Sequence, residues 1–123
     1  MMMPQPPGKL LIAPNFQLAE LACKCCRTLL VSDLLGELVE RLQRLRDEVG
    51  KPVRITSAYR CPAHNKAVGG AARSWHMQAA AADVQVDGMT PAQLAPIARR
   101  VGFREVIPEG NPSAGWLHVA VRD

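Results

Sequence analysis

Aromatic side chains are scarce: two tryptophans, one tyrosine and two phenylalanines make up 4% of 123 residues. Single-stranded nucleic acid is bound on aromatics interleaved with basic residues, and Phe16, Tyr59, Trp75, Phe103 and Trp116 are scattered instead. The scarcity also dictates an aliphatic core, because hydrophobic residues still reach 48% of the chain, an ordinary share for a globular protein. No apolar run approaches the ~20 residues of a membrane-spanning helix. No internal repeat or low-complexity domain is present. Met1 to Gly8 is proline-rich and lacks the basic region and long apolar run of a secretory signal. An acidic excess is missing too: the net charge is +4 and the pI about 9.2. That balance suits a polyanionic surface or nucleic acid, though charge alone fits a merely soluble basic domain equally well.

What is present fits one domain with a single core. Residues 1 to 14, with four prolines, read as a flexible lead-in, and residues 15 to 123 as the domain. Leu34, Leu35, Leu38, Leu42, Leu45 and Val49 recur at helical spacing, with Ser32 as cap and Gly50 as stop. Val53 to Ser57 reads as a strand, followed by a loop from Cys61 to Ser74. Asp83 to Asp87 alternates, with Val84 and Val86 inward. Thr90-Pro91-Ala92-Gln93 opens a second helix with a capping box, and Pro96 argues against that helix being straight. Glu105 to Glu109 and Trp116 to Arg122 read as a hairpin closed by residues 110 to 115.

His76, Asp83 and His118 carry the chemistry. Two imidazoles and a carboxylate are a standard ligand set for a catalytic zinc that keeps one position open. Alternation puts Leu117, Val119 and Val121 on one face and Trp116, His118 and Ala120 on the other. Asp83 likewise lies opposite Val84, so Asp83 and His118 share the face turned from the aliphatic side. His76 precedes Asp83 by an odd offset, so it must come from the loop before the strand, with Ala79 to Ala82 as a close-packed approach. Any one of these residues alone is more often an ordinary hydrogen-bonded side chain. The combination points to a metal.

Ser57-Ala58-Tyr59-Arg60, the stretch from His64 to Gly70, Ser74-Trp75-His76 through Asp83, and Gly115-Trp116-Leu117-His118-Val119 occur in this order between about Phe16 and Arg122. Together they resemble the zinc D-Ala-D-Ala carboxypeptidase family of peptidoglycan peptidases. The resemblance implies an α+β fold, a small antiparallel sheet flanked by helices, shared with the hedgehog signalling domain. It implies one zinc on His76, Asp83 and His118, and an Arg60 that contacts the substrate through a carbonyl oxygen or a carboxylate. Ser57, Ser74 and Trp116 are expected to line the cleft. His64 is not a ligand position in that family and is expected to fix its loop by hydrogen bonds. The implied reaction is hydrolysis of a peptide bond in the peptidoglycan stem, next to a D-amino acid, by a carboxypeptidase-like or endolysin-like enzyme. The alternative is a zinc-bearing binding module without catalysis. No nucleic-acid or membrane partner is expected. Without a visible signal, the expectation is synthesis in the cytoplasm and action at the bacterial cell wall after export or release, which a phage or prophage origin would fit.

Two positions depart from the family pattern. Ala79 stands where relatives often carry Gly, and its small side chain suggests an equivalent fit. Gly115 stands where several relatives carry Glu, so the usual general base is missing. Glu109 is the substitute, since the hairpin puts it beside Trp116 on the His118 face, with Glu105 on the same face but further along.

Cys23, Cys25, Cys26 and Cys61 leave three alternatives: a cysteine-rich zinc site, a disulfide, or reduced thiols. Four-cysteine zinc sites usually show two separated pairs, which this spacing lacks. Reduced thiols are the expectation for a chain kept in the cytosol.

Overall fold

Leu35, Leu38, Leu42 and Leu45 lie on one stripe of helix α2 (Asp33–Val49) and are buried there, as the helical period requires. Ser32 caps the start by accepting the Leu35 N–H at 3.4 Å, and Gly50 closes the end. The computed structural model describes residues 11–71 and 73–123. Most of the expected lead-in, residues 1–10, lies outside the described residues. Its last part is built into the fold: β1 (Leu11–Ala13) pairs antiparallel with β2 (Phe16–Gln17). The turn between them is tied to α2 by a reciprocal pair, Asn15 N–H to Gln43 Oε1 at 3.0 Å and Gln43 Nε2 to Asn15 Oδ1 at 2.8 Å. The proline content alone could not reveal that pairing. A single helical turn, α1 (Leu18–Leu21), follows β2.

The fold is α+β. β3 (Arg54–Ser57), β4 (Ala81–Gln85), β5 (Glu105–Glu109) and β6 (Trp116–Ala120) form one antiparallel sheet in the order β3-β4-β6-β5. Short α3 (Pro62–Ala67) follows β3. Helix α4 (Pro91–Arg100) joins β4 to β5 and packs on β5, β6 and α2. Thr90 and Gln93 form the expected capping box. Pro96 does not break α4. Pro96 and Ala92 are both exposed, so the carbonyl freed by the missing N–H faces water.

The core is aliphatic: Leu38, Leu42, Leu45, Val84, Leu94, Leu117 and Val119 are fully enclosed, with Phe16, Tyr59 and Phe103 as its buried aromatics. Ala79, Ala80, Ala81 and Ala82 have no exposed surface. Small side chains there let β4 and the turn before it approach the neighbouring backbone closely. No helix among the described residues is long and apolar enough to cross a membrane.

Candidate metal centre

Strand register does the first part of the assembly. Asp83 on β4 stands directly opposite His118 on β6. Their neighbours Val84, Leu117 and Val119 point into the core, so Asp83 and His118 turn to the opposite face. His76 arrives from a single 3-10 turn, Trp75–Gln78, that precedes β4. Ser74 caps that turn by accepting the His76 N–H at 3.1 Å. The turn ends at Ala79, whose φ of 56° is left-handed. Left-handed backbone is glycine territory. The position therefore demands a conformation and not merely a small residue, which corrects the reading of Ala79 as equivalent to Gly.

The three side chains converge on one point. His76 Nε2 and His118 Nδ1 each lie 3.3 Å from Asp83 Oδ1. One donor atom from each residue lies within 4.8 Å of the others. His76 and Asp83 are buried, at 2% and 7% exposure. Each imidazole also has its remote nitrogen held: His76 Nδ1 is 2.7 Å from the Ala58 carbonyl, and His118 Nε2 is 2.6 Å from Glu105 Oε1. The Ala58 carbonyl only accepts, so His76 Nδ1 donates to it and Nε2 is the nitrogen left facing Asp83. This is how metal-ligating histidines are oriented, with the outer N–H donated to a carbonyl or carboxylate. The donor set and its outer supports fit zinc.

Electrostatics agree with the geometry. Burial opposes a charge on Asp83, but hydrogen bonds from His118 and His76 outweigh it and hold the carboxyl at about 2. Burial would lower the His118 pKa, yet its bonds to Asp83 and Glu105 raise it above the ordinary value.

Arg60 is tied into the same cluster. Its Nε donates to Ser57 Oγ at 3.2 Å, Nη1 to Asn65 Oδ1 at 3.1 Å and Nη2 to Asp83 Oδ2 at 3.3 Å. Asp83 thus presents one oxygen to the histidines and the other to Arg60. Asn65, only 3% exposed, holds the Ala71 carbonyl through Nδ2 at 2.8 Å. A Cβ on Gly70 would collide with the Asn65 side chain and lie 2.8 Å from Arg60 Nη1. The Gly-rich stretch therefore lets the backbone close over this pair. Asn65 was not singled out from the sequence; its signal was its place beside His64 in the motif.

An open cleft of about 860 Å³ contains the centre, and Ser57, Arg60, Ser74, Trp116 and Glu109 all line it. So does His64. Among the described residues its ring makes no hydrogen bond, so it does not fix the loop in the expected way. Its backbone carbonyl, accepting from Val68, holds α3 instead. Glu105 and Glu109 pair with Ala120 and Trp116, leaving Ile107 opposite His118. The two carboxylates are thus diagonal neighbours of His118 on either side, and Glu105 is no further along than Glu109. Glu105 takes the His118 nitrogen, while Glu109 is exposed on the cleft wall with no side-chain partner among the described residues.

Gly115 has a steric cause. A Cβ there would run into the Glu109 carbonyl and lie 2.6 Å from the Asn111 carbonyl oxygen. The loop is drawn in by Gly115 N–H to Asn111 O and Ala114 N–H to Asn111 Oδ1, both 2.7 Å. With the hairpin closed this way, no side chain fits at position 115.

Comparison with known proteins matches this arrangement to a family. The zinc D-Ala-D-Ala carboxypeptidase of Streptomyces albus G is 37% identical over 85 residues, 68% of this chain and 33% of that protein. The chain thus spans about a third of the length of that curated relative. A family model described as peptidase M15 matches residues 14–120. That span runs from the β1–β2 turn to the end of β6 and takes in every residue of the centre, so the chain belongs to the peptidase M15 family.

Proposed function

We propose that this protein is a zinc-dependent peptidase that hydrolyses a peptide bond in the peptidoglycan stem, adjacent to a D-amino acid. The observation that carries the reading is the pair of histidines, each with its remote nitrogen held, converging with Asp83 on the wall of an open cleft. His76 Nε2, Asp83 Oδ1 and His118 Nδ1 would hold the metal. Zinc bound there supplies Lewis acidity toward a carbonyl oxygen and eases the ionisation of water near neutral pH.

The remaining work falls to the chain's own groups. Arg60 spends three of its five N–H donors on Ser57, Asn65 and Asp83. Two stay available to a substrate carbonyl or carboxylate, in a plane already fixed by the other three. Glu109 serves as general base, because Asp83 is a ligand and Glu105 is engaged by His118. It takes a proton from the attacking water and returns it to the leaving amine. Trp116 and Ser57 bound the substrate channel, and Ser74 holds the turn that presents His76. Peptidoglycan is an extracytoplasmic polymer, so this role places the protein at the bacterial cell wall.

The second reading is a zinc-bearing binding module without catalysis, favoured by the steric exclusion of any side chain at Gly115. Incubation of zinc-loaded protein with purified muropeptides, with and without chelator, separates the two. Mass analysis should show a chelator-sensitive product, either a released D-amino acid or a split cross-link. Intact muropeptides that nevertheless co-sediment with the protein would establish the binding module.

A further inference from the structure

Away from the cleft centre, four sulfurs meet. Cys23, Cys25 and Cys26 lie on the turn after α1, and Cys61 is the N-cap of α3. One sulfur from each lies within 4.8 Å of all the others. Cys23 and Cys25 are 3.6 Å apart, Cys23 and Cys61 3.6 Å, and Cys25 and Cys61 3.3 Å. Four thiolates about 2.3 Å from one tetrahedral zinc would sit about 3.8 Å from each other. A disulfide needs about 2.05 Å, and all four thiols are free.

The backbone is wrapped around these sulfurs. The Cys61 N–H bonds the Cys23 sulfur at 3.4 Å. The His64 N–H bonds the Cys61 sulfur at 3.4 Å. An N–H donated to a sulfur favours the thiolate, the form that ligates metal. The turn is closed by Arg27 N–H to the Cys23 carbonyl at 2.7 Å and Cys23 N–H to the Thr28 carbonyl at 2.8 Å. Arg27 takes a φ of 58° to complete it. A non-glycine residue holds that conformation only where its surroundings over-determine it. Cys25 and Cys26 are exposed, so apolar burial does not account for the gathering.

We propose that Cys23, Cys25, Cys26 and Cys61 form a second metal site, a closed four-thiolate site for a structural zinc. Sequence spacing argued against it, because three of the ligands come from one turn and only the fold supplies the fourth. All four positions are filled by sulfur, which leaves no place for water or substrate. The metal acts as a cross-link. It ties the turn after α1 to Cys61, the residue next to Arg60, whose own N–H is bonded to the His76 carbonyl at 3.0 Å. The strand-to-helix connection that sets Arg60 is thereby anchored from outside the cleft. The inference stands whether or not the protein is a peptidase.

The test is metal content of the full chain purified under reducing conditions, followed by cobalt substitution. Two zinc ions per chain are expected. His118→Ala should keep one and Cys25→Ser should keep the other. The cobalt form should show intense sulfur-to-cobalt charge-transfer absorption, retained in His118→Ala and lost in Cys25→Ser. One zinc per chain, lost completely in His118→Ala, would overturn the proposal. So would native mass measurement showing a pair of these cysteines two hydrogens lighter, joined as a disulfide. Should Cys25→Ser fail to fold, the cobalt spectrum of the unmodified chain decides: without thiolate charge transfer there is no such site.

Discussion

The floor of the cleft and its rim are built to different tolerances. Asp83, buried, and His118, half-buried, face each other across the two central strands and are held from behind by Arg60 and Glu105. Glu109 and Gly115 sit at the end of the β5–β6 hairpin, where Glu109 is exposed and the loop is drawn in on its own carbonyls. Sheet register leaves the floor no freedom. The rim depends on how one loop closes. Here that closure excludes a side chain at position 115 and leaves Glu109 exposed on the cleft wall.

The sharpest way to break this contrast is at the rim. Glu109→Gln should lower turnover by about two to four orders of magnitude, the usual worth of a general base, with zinc affinity at the His76–Asp83–His118 centre unchanged. Near-normal turnover would take the proton-transfer role away from Glu109. On the floor the pattern should invert. Glu105→Gln weakens the hold on the His118 outer nitrogen, and a competition titration should show zinc binding about 10- to 100-fold weaker at that centre. Equal zinc affinity in Glu105→Gln and Glu109→Gln would erase the distinction.

Arg60→Ala probes the junction of the two regions. It strips partners from Asn65 Oδ1 and Asp83 Oδ2 at a side chain only 14% exposed. Thermal or denaturant unfolding should register a loss of about 1 to 3 kcal/mol, alongside a drop in turnover. An unchanged melting temperature would mean that Arg60 serves substrate alone.

Acidity offers a gentler probe. The His118 pKa is raised in the folded chain. Its contribution to metal-free stability is therefore fully present below the ordinary histidine value and lost as pH rises through the raised one. Zinc must displace that proton, so affinity should begin to fall on acidification at a higher pH than a free imidazole would give. Asp83, held at about 2, stays ionised throughout that range. Chelator competition between about pH 5 and 8 measures the profile, and a flat one would contradict the His118 assignment.

The smallest effect belongs to Ala79→Gly. Left-handed backbone costs an L-residue about 1 to 2 kcal/mol, while the buried methyl contributes roughly 0.8 kcal/mol. These oppose each other, so stability should rise by less than about 1 kcal/mol. A clear loss would show that packing of the methyl outweighs the strain.

Local pattern determined a good deal unaided. Leucine spacing and Ser32 define α2, Thr90 and Gln93 define the start of α4, and alternation assigns Asp83 and His118 to one face. Each is set by residues a few positions apart, and a 2.0 or 3.6 period is visible in a single chain. The odd offset even required His76 to leave the strand. What the tertiary structure alone decided lies in distances between segments remote in sequence. The β5–β6 register makes Glu105 the neighbour of His118. Loop closure excludes a side chain at 115, the turn at Ala79 demands a left-handed residue, and the arrival of Cys61 completes a cluster begun 38 residues earlier at Cys23. Periodicity reports which way a side chain faces. Register and the meeting of distant loops are settled by packing and turn geometry across the whole core.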